Sequence, residues 1–477
     1  MTNPLPIRTE VTPGSAHALG IFHRAVGVVR AYSEFLAEHG LDPATIRTAE
    51  HFAMVPPMTK SNYLRKYPRP SLMWHGDVNE AIVWSASSGS SGRPTYWPQN
   101  EASFEDNVEL YDRIFRLHFD SREKSTVVVV GFAMGNWIGG TLTLRVTEEL
   151  RRRGHRLSIV TPGLNDAILS NVAELGPHFD QIVLAGYPPF IQNVIDRAGP
   201  EVLEQDVKIL LAGERIAEQW RDHILNRIGR PDEPERICLI YGTADAGVMG
   251  HETPTTTTIR RLADSDPALA RDLFGTNAVL PTFVEYDPIL RYTEVDEDGF
   301  LLFTVDTGVP LIRYRINDQG AVLTCDQVAA VLKRHGYCLP IATTTPDAAF
   351  LVLRRRSDVA TSFYAVKIFP ESIAAALEEP EISAAVTGKF VLSTRTDEAF
   401  AQSLDLRVEL REKVLATPGF IELLTGRVVA ALDRTNSEFR QLRTVRGDAA
   451  IPLVTPEPFG SARFHFEIKH RYSGDNA

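Results

Sequence analysis

Cysteine is scarce in this chain. Only Cys238, Cys325 and Cys338 occur, and no two of them form a CxxC pair. Their spacing therefore supports neither a disulfide framework nor a structural zinc site, and it fits a reducing, cytoplasmic compartment. Long apolar runs are missing too: none reaches the ~18–20 residues that a membrane-spanning helix requires. The first residues, Met1-Thr2-Asn3-Pro4-Leu5-Pro6, lack the basic segment and apolar stretch of a leader. Positive charge is in deficit, since 61 acidic residues against 50 Lys and Arg leave a net charge of -11. That balance repels a phosphate backbone and argues against nucleic-acid binding. The runs Arg151-Arg152-Arg153 and Arg354-Arg355-Arg356 are too short to reverse it, and the first reads as a solvated helix end.

What is present is a globular composition, 44% hydrophobic and 23% charged, rich enough in apolar side chains for a sizeable core. A chain of 477 residues exceeds one compact core, so a large domain and a smaller one are expected. Residues 15–39 carry apolar positions at helical spacing, and Pro56-Pro57 closes this helical region. From residue 81 onward short apolar runs alternate with helix-length stretches, at residues 81–84, 126–130, 157–160, 182–185, 207–211 and 237–241. Crossover connections of that length predict a largely parallel sheet covered by helices. After about residue 277 the texture turns β-rich, with residues 291–295 and 300–305 flanking the turn signal Asp296-Glu297-Asp298-Gly299. The expected fold class is α/β. Its large N-terminal domain, residues 1–357, divides into a helical part at 1–80, an α/β core at 81–276 and a β-rich subdomain at 277–357, and a small α+β domain occupies 358–477. In that last domain a strand is expected at residues 363–369, with a helix opening at Pro370.

The most informative stretch follows the first predicted strand: Ser85-Ala86-Ser87-Ser88-Gly89-Ser90-Ser91-Gly92-Arg93-Pro94-Thr95. Its glycines let successive N–H groups turn toward one point, its hydroxyls add donors and Arg93 adds a fixed positive charge, a combination suited to phosphate oxygens. A flexible Ser/Gly linker has the same composition, and composition alone leaves both readings open. The Gly-Lys-Ser/Thr ending of a Walker loop is absent.

Ser87 through Thr95 resembles, without a gap, the phosphate loop of the adenylate-forming superfamily in its phenylacetate–coenzyme A ligase branch. Upstream, Pro57-Met58-Thr59-Lys60 is similar to the Pro-Phe-Thr-Thr-Lys signature of that branch. Further stations follow in the family's order. Gly213-Glu214 resembles the turn that packs on adenine, and Tyr241-Gly242-Thr243-Ala244-Asp245 resembles the Tyr-Gly-x-x-Glu motif, with Asp245 one methylene shorter than the usual magnesium-holding Glu. Tyr314-Arg315-Ile316-Asn317-Asp318 resembles Tyr-Arg-Thr-Gly-Asp, which assigns both ribose hydroxyls to Asp318. Arg356-Ser357-Asp358, continuing to Phe369-Pro370, resembles the family's hinge; Arg356 would contact the nucleotide and Asp358 would be the pivot of a mobile C-terminal domain.

The resemblance implies ATP-dependent activation of a carboxylic acid to its acyl-adenylate, with ATP and Mg2+ required. Ser90, Ser91 and Arg93 would hold the leaving pyrophosphate, and Arg356, in contact with the nucleotide, would complete the catalytic set. Ser87, Ser88, Gly89, Gly92, Thr95, Gly213, Glu214, Tyr241, Gly242, Thr243 and Asp318 would hold the nucleotide, and Asp245 the metal. Phe132, Gly135, Asn136, Trp137 and Tyr187 fall where the family lines its acyl pocket, and aromatic faces with one amide suit an aryl or heteroaryl acid, although aromatics also fill cores. The acyl group would then pass to a thiol or an amine, or stay bound. Departures at Asp245, Ile316, Asn317, Val359 and Ala365 also suit a non-catalytic relative that binds nucleotide or an aromatic acid. Ala365 replaces a Gly that lets a pantetheine arm pass. Gly460-Ser461-Ala462-Arg463 stands where the family has Gly-Lys, and Lys469 lies further on. Slow adenylation and poor transfer to coenzyme A are therefore expected. Expected partners are small molecules, without nucleic acid or membrane; the oligomeric state stays open, a homodimer included.

Overall fold

A computed structural model of the chain describes residues 14–87, 95–163, 167–275, 280–356, 361–363, 366–396 and 402–464. Its centre is one eleven-stranded mixed sheet. On one side run the parallel strands Leu157–Val160, Thr126–Val130, Gln181–Gly186, Val207–Ala212 and Ile237–Thr243. Five consecutive β-branched residues make Thr126–Val130, buried along its whole length, as a strand covered on both faces must be. Alternate residues feed different cores: Val127 and Val129 pack with Ile168, Ile191 and Ile224, whereas Val128 and Val130 pack with Phe115, Leu142 and Val146. The sheet is thus sandwiched between two helical layers.

The β-rich region predicted downstream forms the antiparallel half of the same sheet. Gly247–His251, Thr282–Tyr286, Ala349–Arg356, Leu311–Leu323, Phe300–Val305 and Tyr292–Val295 add to it in that order. The N-terminal helices Ser15–Val28 and Arg30–Glu38 cover this half, placing Phe22, Tyr32 and Phe35 in one core with Phe303 and Tyr314. Beyond it, Val386–Thr396, Gln402–Leu410 and Leu453–Glu457 form a three-stranded sheet, on which the helices Pro370–Leu377 and Pro418–Thr435 pack. Their core, from Phe363 to Val454, draws on no residue of the large sheet.

Two local expectations change. The strand expected at residues 81–84 is Val83–Ser87, and it stays outside the large sheet, pairing antiparallel with Thr95–Gln99 in a two-stranded ribbon. The strand expected at 363–369 is a pair of short strands, Thr361–Phe363 and Val366–Ile368, folded against each other. Continuous apolar character does not reveal a reversal of direction, which is why the run read as one strand.

Candidate nucleotide-binding cleft

A cleft of about 280 Å³ opens at the carboxyl ends of the parallel strands, where open α/β sheets bind ligands. Gly213, Glu214, Tyr241, Gly242, Thr243 and Asp318 line it together, so residues far apart in sequence meet as the motifs required. Gly213 follows the strand Val207–Ala212 with φ +93°, and a Cβ there would lie 2.8 Å from the Tyr187 ring; both the turn and the close approach demand glycine. Tyr241, at the end of Ile237–Thr243, donates its hydroxyl to Asp318 Oδ2 at 2.6 Å. Asp318 is only 4% exposed and pairs across the sheet with Arg356. Pro370, Glu371, Ala374, Leu377 and Gly388 form the facing wall. That wall is held by Arg215 Nη2, which donates to the Glu371 carbonyl at 2.9 Å, and by an ion pair between Arg411 and Asp196.

The departures at Ile316 and Asn317 have a structural account. Asn317 adopts φ +70°, the left-handed region that glycine enters freely and that Asn tolerates best among residues with a side chain. Ile316 is buried in the core beneath the N-terminal helices. Asp318 thus follows a left-handed residue in an irregular stretch of the strand Leu311–Leu323.

Asp245 is buried and joins three motifs. It accepts from the Tyr314 hydroxyl at 2.8 Å, and Lys60 Nζ lies 3.7 Å from the same oxygen. Lys60 is placed by its own segment: Thr59 caps the following turn through a reciprocal pair of bonds with Asn62, and Met58 bridges to Tyr314 and accepts from Arg315 N at 2.9 Å. The Pro57–Lys60 signature is therefore pinned beside Leu311–Leu323 by a single parallel bridge at Met58. Asp245 offers one hard carboxylate. That fits Mg2+ only in the mode where phosphate oxygens and water complete the shell.

Ser88, Gly89, Ser90, Ser91, Gly92, Arg93, Asp358, Val359, Ala365 and Lys469 lie outside the described residues, and of Ser87 and Arg356 only the backbone is described. The register Ser87↔Thr95 sets the two ends of the phosphate-loop segment side by side. Of the five pocket residues, Phe132 and Tyr187 meet edge to face with centroids 5.1 Å apart, and Gly139 leaves room between them. Burial pushes the Tyr187 phenol upward and the charge of Glu214 adds to this, so it stays protonated. Gly135 and Asn136 are exposed and Trp137 half-buried, and the Asn136 carbonyl accepts from Ala86 N at 2.7 Å. The segment predicted to line the acyl pocket is thereby tied to the strand Val83–Ser87. Arg463 does not reach the cleft; it pairs with Glu457 at 3.3 Å. Sequence reasoning missed Arg215 and Arg354 as cleft residues, although Arg215 directly follows the Gly213-Glu214 turn.

No family model and no curated protein matches the chain by sequence. Solved structures do match in three dimensions. 2-Hydroxyisobutyryl-CoA ligase in its postadenylation state with 2-HIB-AMP superposes with a TM-score of 0.66 at 16% identity, over 99% of this chain and 94% of that one. The fold is that of an adenylate-forming ligase. The same ligase in its thioesterification state with 2-HIB-AMP and CoA gives 0.52 at 16% identity, again over 99% and 94%. Its open conformation gives 0.52 at 15% identity, over 97% and 90%. Among the described residues no helix is long and apolar enough to cross a membrane.

Proposed function

We propose that this chain activates a carboxylic acid, of aryl or heteroaryl type, by reaction with ATP to an acyl-adenylate and pyrophosphate. The observation that carries the proposal is the Tyr241–Asp318 hydrogen bond at the floor of a cleft that Gly213 and Glu214 also line. A buried carboxylate fixed by one donor is suited to accept the two neighbouring hydroxyls of a ribose. The substrate carboxylate oxygen attacks the α-phosphorus, the bond from that phosphorus to the bridging oxygen breaks, and pyrophosphate leaves toward the segment 88–94. The nucleophile is already ionised at neutral pH, so positioning and charge neutralisation carry the step without a general base. Ser90, Ser91, Arg93 and Arg356 are assigned to the phosphates, and Lys60 brings a further cation to Asp245. Asp245 would hold Mg2+, which neutralises phosphate charge when bound.

The finer placement in the phenylacetate–coenzyme A ligase-like branch rests on the gapless Ser87–Thr95 match and on Pro57–Lys60. The same reading sets the domain boundary after residue 357, with Asp358 as pivot, in keeping with the separate core from Phe363 to Val454. Coenzyme A is assigned as a poor acceptor, because Arg463 is engaged by Glu457 on the C-terminal sheet. Acid-dependent exchange of labelled pyrophosphate into ATP, screened over aryl acids, tests the activation step. Exchange with one or more acids is the expected result, and nucleotide binding without exchange across the panel would favour the non-catalytic reading. Mass spectrometry of the same mixtures with coenzyme A should show little acyl–coenzyme A; its rapid formation would restore an ordinary aryl–CoA ligase.

A further inference from the structure

At the opposite end of the strand that carries Tyr241, three side chains with metal-binding chemistry converge inside the large domain. Cys238 sits near the start of Ile237–Thr243, His251 ends the adjacent strand Gly247–His251, and His118 lies in the last turn of the helix Glu101–Phe119. One ligand atom from each lies within 4.8 Å of the other two, and all three residues are at least nine-tenths buried. No motif spacing reveals them, because they come from three separate elements.

Their hydrogen bonding does not close as ordinary core packing. His118 Nδ1 lies 2.9 Å from the Glu235 carbonyl and Nε2 lies 2.8 Å from the Glu252 carbonyl, so both ring nitrogens face acceptors. A neutral imidazole has one N–H to give, so in that form one of these two contacts is unmet. The Glu252 carbonyl also faces His251 Nδ1 at 2.8 Å and Cys238 Sγ at 3.6 Å. Three candidate donors thus compete for an oxygen with two lone pairs. A cation at this point resolves both conflicts. The Nδ1–H of His118 then donates to Glu235, the outer hydrogen bond that ordinarily orients a ligating histidine, and the Nε2 lone pair is free to coordinate. The Glu252 carboxylate is not available as a ligand, since it pairs with Arg221 at 2.7 Å and accepts from Leu239 N at 3.0 Å.

We propose that His118, Cys238 and His251 bind a single zinc ion, with the Glu252 carbonyl as a fourth donor, in a structural site distinct from the nucleotide cleft. Two imidazoles and a thiolate are the ligand types zinc prefers, and a closed four-donor set is the structural form of such sites. Zinc bonds of about 2.0–2.3 Å set tetrahedral donors roughly 3.3–3.8 Å apart, so the two ring nitrogens now 2.8 Å from the Glu252 carbonyl must move away from it while the wider separations within the cluster close. Binding releases the Cys238 proton. The metal supplies the charge that stabilises the thiolate.

The test uses the full chain, with Zn2+ and Co2+ as probes. Chain refolded with excess Zn2+ and dialysed should retain one equivalent by elemental analysis. Refolded with Co2+, it should show the near-ultraviolet thiolate-to-cobalt charge-transfer band. A Cys325→Ser/Cys338→Ser chain should keep both signals, leaving Cys238 as their source, and Cys238→Ser should lose the band. Less than a tenth of an equivalent of zinc in the refolded wild type, absence of the band from wild type, or its persistence in Cys238→Ser would each overturn the proposal. The wild type and the double variant decide it even where Cys238→Ser does not fold.

Discussion

Replacing Tyr241 by Phe removes one hydroxyl and nothing else, which makes it the sharpest probe of the cleft. That hydroxyl donates to Asp318 Oδ2 at 2.6 Å, and Asp318 is buried. Hydrogen bonds to a charged group contribute about 1.5–3 kcal/mol. Tyr241 is only half-buried, so water replaces part of the lost donor and the lower end of the range applies, about 1.5 kcal/mol or roughly tenfold in affinity. If Asp318 holds the ribose, that loss falls on ATP. The KM for ATP in pyrophosphate exchange should rise about tenfold with kcat nearly unchanged, the signature of lost uniform binding. The KM for the acid, measured at saturating ATP, should stay within about twofold. Calorimetric titration with ATP alone gives the same quantity without turnover. A variant that keeps its wild-type melting temperature and its ATP affinity, or that loses acid and ATP affinity equally, would refute the assignment of Asp318 to the ribose.

Further consequences concern the turns, the loop and the Lys60–Asp245 pair. Because Asn317 sits at φ +70°, Asn317→Gly should leave urea stability nearly unchanged, while Asn317→Val should lower it by about 1–2 kcal/mol. Gly213→Ala meets both a left-handed backbone and the Tyr187 ring, so it should weaken ATP binding in calorimetry; wild-type affinity would mean that the turn is not needed. Joint Ser90→Ala and Ser91→Ala substitution should slow pyrophosphate exchange by at least about 100-fold, since fixed donors on a developing phosphate charge contribute about 3 kcal/mol each; unchanged exchange in the folded variant removes the loop from the reaction. A double-mutant cycle with Lys60→Ala and Asp245→Asn should give a coupling below about 1 kcal/mol in stability, because Lys60 is partly exposed at 3.7 Å from its partner.

The parallel half of the sheet was legible because each of its strands is a short, mostly apolar run separated from the next by a helix-length segment. The union of that half with the β-rich region was not legible, since the pairing of Thr282–Tyr286 with Gly247–His251 and Ala349–Arg356 joins segments far apart in sequence and leaves no local mark. Several motif residues the sequence singled out, Gly213, Glu214, Tyr241, Gly242, Thr243 and Asp318, do line one cleft. Their connections were not legible. Nothing in the linear pattern announced that Lys60 and Tyr314 would share one oxygen of Asp245, or that Met58 would pair beside Tyr314. The cluster of His118, Cys238 and His251 escaped for the same reason, as did the reversal between Thr361–Phe363 and Val366–Ile368.

Tyr187 stands between two compartments. Its ring meets Phe132, among the residues predicted for the acyl pocket, and lies close to Gly213 in the turn that lines the cleft. An acid that shifts this ring therefore changes the space above Gly213, and a nucleotide seated on that turn restricts where the ring can go. If acid and nucleotide bind as proposed, this one side chain links them, and linkage is reciprocal: whatever factor the acid imposes on nucleotide affinity, the nucleotide imposes on the acid. A survey of acids at a single ATP concentration would mix these two quantities. On the proposed function, substrate preference is accordingly a property of the acid and nucleotide together, and ranking acids requires the full surface of rates against both concentrations.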